Sequence, residues 1–321
     1  MKIAITGSIA FDYLMTYPGS FREMLIETDL DNLSVSFLVD HMSRHRGGIG
    51  PNIAYTLALL GERPLLVGTA GQDFAEFRAF LDEAGIDTRG VKRYDDLFTA
   101  SFFVTTDRDN NQIATFYGGA MLRAGEQRLR DTVGGEVDLV VISPNDPGAM
   151  QNFADECKQM GIPYLYDPSQ QVARVDGETL AKGVDGAHVL VVNRYEYSAL
   201  KNKTRYSHED ILSMAGTVIV TEGEEGSRIY TQGEVIKIPT VPPLAIKDPT
   251  GVGDGYRGGL LKGLAAGWPW ETCGRVGALA ATYVLEQVGT QNHFYTRQEF
   301  VARFRQHFDD GGLLDAMLEN V

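Results

Sequence analysis

Apolar residues along this chain fall into short runs that end in small or polar residues, separated by longer segments with apolar positions at helical spacing. Residues 2–6, KIAIT, open the series as a buried strand ending at Gly7-Ser8. From Pro64 the order is regular: PLLVGTAG, DFAEFRAFLDEAG, VDLVVIS, a helix over 148–160, PYLYD, AHVLVVN, a helix from Arg194, and GTVIVT. That alternation predicts an α/β fold with a doubly wound, mostly parallel sheet flanked by helices. A hairpin pairs 227–231 with 235–238, and helices over 271–286 and 297–308 close the chain.

Two stretches break the rhythm. Between 12 and 46 the chain is irregular and polar, with one alternation at 33–39, LSVSFLV, that predicts a half-exposed strand. Residues 98–106 and 112–117, rich in Phe, Thr and Val around the turn 107–111, predict a hairpin. Together they predict a small inserted β-sheet, a lid formed by about 12–46 and 97–118 on a single domain of residues 1–321, since no linker-like tract interrupts the chain. A sheet with one apolar face needs a cover, which a substrate or a second copy of the chain could supply; a homodimer through the lid is the resulting expectation.

Charge and cysteine content narrow the partners. With 29 basic against 43 acidic residues the net charge is -14, which argues against nucleic acid and acidic membranes. No apolar run approaches the roughly 18 to 20 residues of a membrane span, and the first residues lack a basic region and a cleavage site, so the cytoplasm is expected. Cys157 and Cys273 lie far apart and suggest neither a disulfide framework nor a structural zinc site.

The candidate chemistry centres on 247–264, KDPTGVGDGYRGGLLKGL. A turn holding Gly251 and Gly253 lets the backbone approach a ligand, and the helix that follows points its free N–H groups and positive dipole end the same way. That makes an anion site on an acidic chain. Asp254 in the first turn reads equally as an ordinary dipole-complementing acid. Gly255, Gly258 and Gly259 inside the helix each cost about 1 kcal/mol against alanine, so they imply close approach of a ligand or of another backbone. No Walker P-loop is present, and a dinucleotide fingerprint counted from Gly251 fails because Tyr256 fills its last glycine slot. A second glycine turn, Gly47 to Asn52, opens a helix through Leu60; it could bind a hydroxyl or anion, or simply need glycine for its geometry. Ligands in doubly wound sheets bind beyond the carboxyl ends of the strands, where Ser143, Asn145, residues 167–171, Asn193, Glu196 and residues 221–223 fall.

Gly47-Gly48 with Asn52, the run AGID at 84–87, Asn193-x-x-Glu196 and DPTGVGD at 248–254 resemble, in type and order, the motifs of the PfkB (ribokinase) family of carbohydrate and nucleoside kinases. The likeness spans essentially the whole chain. Segments 6–15, 33–40, 111–121, 167–174 and 285–291 are most similar to bacterial, ribokinase-like adenosine kinases. Val252, where the family more often has alanine, and Gly255-Tyr256, where Ala-Phe is more usual, depart from the pattern.

The resemblance implies a kinase using ATP and Mg2+, with a monovalent cation such as K+ as a further candidate, and a small nucleoside or sugar as acceptor. It implies Asp254 as general base on the accepting hydroxyl and the backbone N–H groups of Gly251, Val252 and Gly253 as an anion hole. Asn193 and Glu196 would hold Mg2+ through water. Ser8, Asp12, Gly48 and Asn52 would meet the ribose. Phe102 and Phe116 would sandwich a purine, or else only pack the lid, with Gln170, Gln171 and Arg174 at the base edge. Asn193, Thr221, Gly223, Gln287 and Gln291 would border ATP. Three functions follow: adenosine phosphorylation to AMP, phosphorylation of another nucleoside or of a sugar such as ribose or fructose, and non-catalytic ligand binding on the same fold.

Overall fold

The structure, a computed structural model, describes residues 1–26, 34–135 and 137–319. Its strands in chain order are β1 (Ile3–Thr6), β2 (Ala10–Thr16), β3 (His41–Gly47), β4 (Leu65–Ala70), β5 (Val91–Arg93), β6 (Ala100–Thr106) and β7 (Gln112–Tyr117). They continue with β8 (Leu139–Ile142), β9 (Tyr164–Tyr166), β10 (Val189–Asn193), β11 (Thr217–Thr221), β12 (Ser227–Thr231) and β13 (Glu234–Ile238).

Nine of these form one sheet in the order β13-β12-β11-β10-β9-β8-β1-β4-β5. The seven strands from β11 to β5 are parallel, and the β12–β13 hairpin adds an antiparallel edge. Runs such as LLVGTA and LVVI are apolar at nearly every position because helices cover both faces. Along β1, Ile3 and Ile5 face a core with Leu57, Phe77 and Leu260, while Ala4 faces the opposite core with Phe153, Tyr164 and Leu200. A third cluster, with Leu279, Phe300 and Phe304, joins the C-terminal helices. Among the described residues, no helix is long and apolar enough to cross a membrane.

β3, β2, β6 and β7 form a separate four-stranded sheet. β2 pairs antiparallel with β3 (Asp12↔His45) and parallel with β6 (Asp12↔Phe102), and β6 pairs antiparallel with β7 (Phe102↔Phe116). The 98–117 hairpin therefore appears as expected, but the strand expected at 33–39 does not. Residues 34–39 are not in a strand, and Leu33 lies outside the described residues. The edge strand is His41–Gly47 instead, and Ala10–Thr16 is a central strand within the stretch that reads as irregular. β3, HMSRHRG, carries almost no apolar signal because its contacts are polar and cationic: Arg44 pairs with Glu76 at 2.5 Å and lies 4.8 Å from the Phe11 ring centre.

Candidate active site

The helix Val252–Ala265 starts at Gly251, whose φ of 78° lies in the left-handed region. A Cβ there would also sit 2.8 Å from the Thr290 methyl, so the turn needs glycine twice over. The glycines within the helix serve backbone approach and not a ligand. A Cβ at Gly255 would meet Val284 at 2.6 Å, at Gly258 Thr56 at 2.6 Å, and at Gly259 the Val276 carbonyl at 2.6 Å. The helix is thereby packed tightly against Ile49–Leu59 and Trp270–Leu285, and its first turn is held still.

Asp254 stands in that first turn. Asn52 Nδ2 donates to its Oδ2 at 2.8 Å, and Gln291 Nε2 donates to Asn52 Oδ1 at 2.8 Å. Burial pushes the Asp254 carboxyl up to about 6, against the pull of Arg257 and the Asn52 hydrogen bond. As an opening residue of the helix, Gly253 has an N–H group with no acceptor in a preceding turn. The Val252 N–H turns back to the Pro249 carbonyl at 3.4 Å.

In front of this turn lies a cavity of about 610 Å³. It sits beyond the carboxyl ends of the parallel strands, as doubly wound sheets favour. It brings together Asp254, Gly251 and Gly253, the acceptor candidates Ser8, Asp12, Gly48 and Asn52, and Phe102, Phe116, Gln170, Gln171 and Arg174. Asn193, Glu196 and Thr221 line it as well.

On its small-sheet side, burial, reinforced by Asp248, raises Asp12 to about 6. Asp12 is tucked against Gly47, where any side chain would run into its carboxylate, and Gly48 (φ 90°) admits no Cβ beside the Ser8 carbonyl. Ser8 Oγ accepts from the Ile49 N–H at 3.3 Å. Phe102 and Phe116 are direct cross-strand neighbours on the face that carries Asp12. At the far end, Gln171 Nε2 donates to the Asn145 carbonyl at 2.7 Å, and Asn145 Oδ1 accepts from the Asp146 N–H at 2.9 Å. Asn145 Nδ2 and Gln171 Oε1 are left buried without a protein partner, on side chains only 1% and 6% exposed. Both atoms are shut off from solvent, inside the wall of the cavity.

Asn193 and Glu196 cap the Arg194–Thr204 helix reciprocally: Asn193 Oδ1 accepts from the Glu196 N–H at 2.8 Å, and Glu196 Oε2 from the Asn193 N–H at 2.7 Å. One Glu196 oxygen remains for a ligand. Among the described residues no group of three His, Cys, Asp or Glu side chains is placed to hold a metal directly. The pair fits a Mg2+ ion that keeps its water shell, and is too small a donor set for a dehydrated one.

Four expected residues do not line the cavity: Val252, Gly223, Gln287 and Gln291. Val252 opens the helix between Gly251 and Gly253, which do line the cavity. Gly223 lies on an exposed turn after β11, and Gln287 meets Lys247 Nζ at 3.5 Å. Gln291 is buried against Asn52. Conversely, the cavity includes Met121, Thr250, Thr290 and Arg257, which carry no site assignment in the sequence reading, and Asn145, expected there only as a strand-end residue. Arg257 follows Asp254 at i+3 on one helix face, a spacing that could have marked it. It is paired with the wholly buried Asp167, Nη2 donating to Oδ1 at 2.6 Å with Nε 2.6 Å from Oδ2. Burial pushes Asp167 up to about 7 against the attraction of Arg257.

A family profile described as pfkB family carbohydrate kinase matches residues 11–297. The chain belongs to the PfkB family. A nucleoside kinase of Methanothermobacter thermautotrophicus is 31% identical over 301 residues, covering 93% of this chain and 94% of that protein. The solved nucleoside kinase of Burkholderia thailandensis in complex with inosine has 36% identity and a TM-score of 0.81, over 95% of this chain and 98% of that one. The nucleoside kinase of Methanocaldococcus jannaschii, described as an archaeal member of the ribokinase family, superposes with a TM-score of 0.84 at 26% identity, over 96% and 99% of the two chains. This chain is accordingly a kinase with the ribokinase-like fold, as its strand order indicates.

Proposed function

We propose that this PfkB-family chain is a nucleoside kinase that transfers the γ-phosphoryl group of ATP to the 5′-hydroxyl of a purine nucleoside. One arrangement carries this reading: Asp254, braced by Asn52, lines a cavity whose other walls hold an aromatic pair and the polar side chains of Gln170 and Arg174. A bare sugar would leave the aromatic pair unfilled, whereas a nucleobase offers a ring face to it. Asp12, Gly48 and Asn52 would take the ribose hydroxyls, and Phe102 and Phe116 would hold the base.

In the transfer, Asp254 accepts the proton of the nucleoside hydroxyl as its oxygen bonds to the γ-phosphorus. The bond from that phosphorus to the bridging oxygen breaks, and ADP leaves with the electron pair. The N–H groups of Gly251, Val252 and Gly253 would face the charge that builds on the phosphoryl oxygens. Mg2+, held through water by Asn193 and Glu196, would supply neutralisation of the donor phosphates.

Adenosine stands first among acceptors because segments 111–121 and 167–174 resemble adenosine kinases. Since the Burkholderia relative was solved with inosine, both purine nucleosides belong in the test. Coupled ADP-release assays over adenosine, inosine, ribose and fructose, with Mg2+ and with K+ exchanged for a bulky monovalent cation, are expected to give turnover with a nucleoside. Turnover with a sugar and none with any nucleoside would overturn the reading.

The small sheet is proposed as the lid of a single domain and as a dimer face. β7 is exposed along its whole length, and Ile113 and Tyr117 point away from the Phe116 side of the sheet. Light scattering at micromolar concentration tests this reading; a monomeric mass would remove it.

A further inference from the structure

The cavity must attract a polyphosphate although the chain carries a net charge of -14 and Asp12, Glu196 and Asp254 all line it. Besides Mg2+ and the helix N-terminus, fixed cations can offset this charge, and Arg174 and Arg257 line the cavity. The side chain of Arg257 is only 6% exposed, yet it lines the cavity beside Gly253 and Asp254. Its Nε–Nη2 edge is occupied by Asp167, which is 0% exposed. Its remaining nitrogen folds back toward the helix start, as helical side chains do. A Cβ on Gly253 would lie 2.8 Å from Arg257 Nη1, and Nη1 has no acceptor among the described residues.

Two features argue that this is more than an internal strut. A buried ion pair is a poor source of stability compared with apolar packing of the same volume, so its place in the fold calls for another reason. The pairing also uses only one edge of a planar fork, which fixes the direction of the other edge. The free edge points to the turn that holds Gly253.

We infer that Arg257 is a catalytic residue whose Nη1 contacts the phosphoryl group during transfer, and that Asp167 is the positioning residue that aims it. This rests on the kinase reading above. The guanidinium and the helix N-terminus together form the positive locus, and Gly253 is small because Nη1 occupies the space a side chain would need.

The test uses Arg257→Lys and the double variant Asp167→Asn/Arg257→Gln, which removes both charges together and leaves the net charge unchanged; because Arg257 also holds Asp254 down, kcat is read on the alkaline plateau of each variant's pH profile. Thermal melts establish folding, calorimetry measures nucleoside and tripolyphosphate binding, and ADP release gives kcat. The folded double variant is expected to lose about 10² to 10³ in kcat, as for loss of one preorganised donor, and at least tenfold in tripolyphosphate affinity. Nucleoside affinity should stay within threefold, and Arg257→Lys should fall between the extremes. Wild-type tripolyphosphate binding in the double variant, or equal losses in kcat and nucleoside affinity, would overturn the inference. If the wild type phosphorylates no nucleoside while tripolyphosphate binding still depends on Arg257, the proposed acceptor fails and the role of Arg257 at the phosphoryl site stands.

Discussion

Asn52 Nδ2 donates to Asp254 Oδ2 at 2.8 Å, joining side chains 202 positions apart in the chain. The bond holds one oxygen of a carboxylate that lines the cavity and leaves the other to meet a hydroxyl, a disposition suited to a base.

Asp254→Asn is nearly isosteric and removes the proton acceptor. Turnover is expected to fall by about 10² to 10⁴, while nucleoside binding by calorimetry stays measurable. A variant with unchanged kcat would remove Asp254 from the role of base.

The pH profile has a defined sign. Burial raises Asp254 and Asp12 to about 6, so kcat/KM should fall on an acid limb centred near that value as the carboxylates gain protons. Stability should move the other way. These two groups and Asp167, at about 7, have folded values above the ordinary 3.8. Their stabilising contribution is full below the unfolded value and is lost as pH rises through about 6 to 7. Asp310 and Glu286 are held low, so their contributions fade only in more acidic solution. Melting temperature should therefore rise between pH 8 and pH 5 while activity declines. A melting temperature that fell across that interval would contradict the assignment.

Gly251→Ala puts a Cβ at φ 78° and against Thr290. The left-handed conformation alone costs about 1 to 2 kcal/mol, so the denaturation midpoint should drop, with turnover falling further because the N–H groups of the turn are displaced. Urea unfolding read beside kcat separates the two effects.

Gln291→Leu removes the brace on Asn52. If Gln291 acts through Asn52, kcat should fall about tenfold to a hundredfold with the KM for ATP unchanged. A raised KM for ATP with normal kcat would instead restore Gln291 to the nucleotide side.

Phe116→Ala trims a wall that faces the cavity and is 45% exposed, so folding should be little affected. The KM for a purine nucleoside should rise about tenfold, in line with the loss of one aromatic contact. An unchanged KM would place the base elsewhere.

The parallel sheet was legible because its strands are continuous apolar runs between periodic helices, a pattern created by burial on both faces. The glycine turn was legible because its residue types are restricted by backbone geometry at Gly251 and Gly48. β3 was not, since HMSRHRG earns its strand state from β2 and from Arg44 contacts that no local period encodes. The alternation at 34–39 misled because alternation describes a face, and that segment pairs with no strand. Distance along the chain hid the rest. The pairing of Arg257 with Asp167 joins a helix to a strand end 90 positions away, and the placement of Gln291 on Asn52 spans 239.

Asp248 accepts from the Thr250 N–H at 2.9 Å and from the Gly289 N–H at 3.0 Å, while Thr290 Oγ1 donates to the Arg46 carbonyl on β3 at 3.2 Å. The small sheet and the turn before Asp254 are thus links of one hydrogen-bonded chain. Two ligands seated at opposite ends of such a chain share a single interaction free energy. Whatever factor a bound nucleoside contributes to the affinity for ATP, ATP must return to the nucleoside.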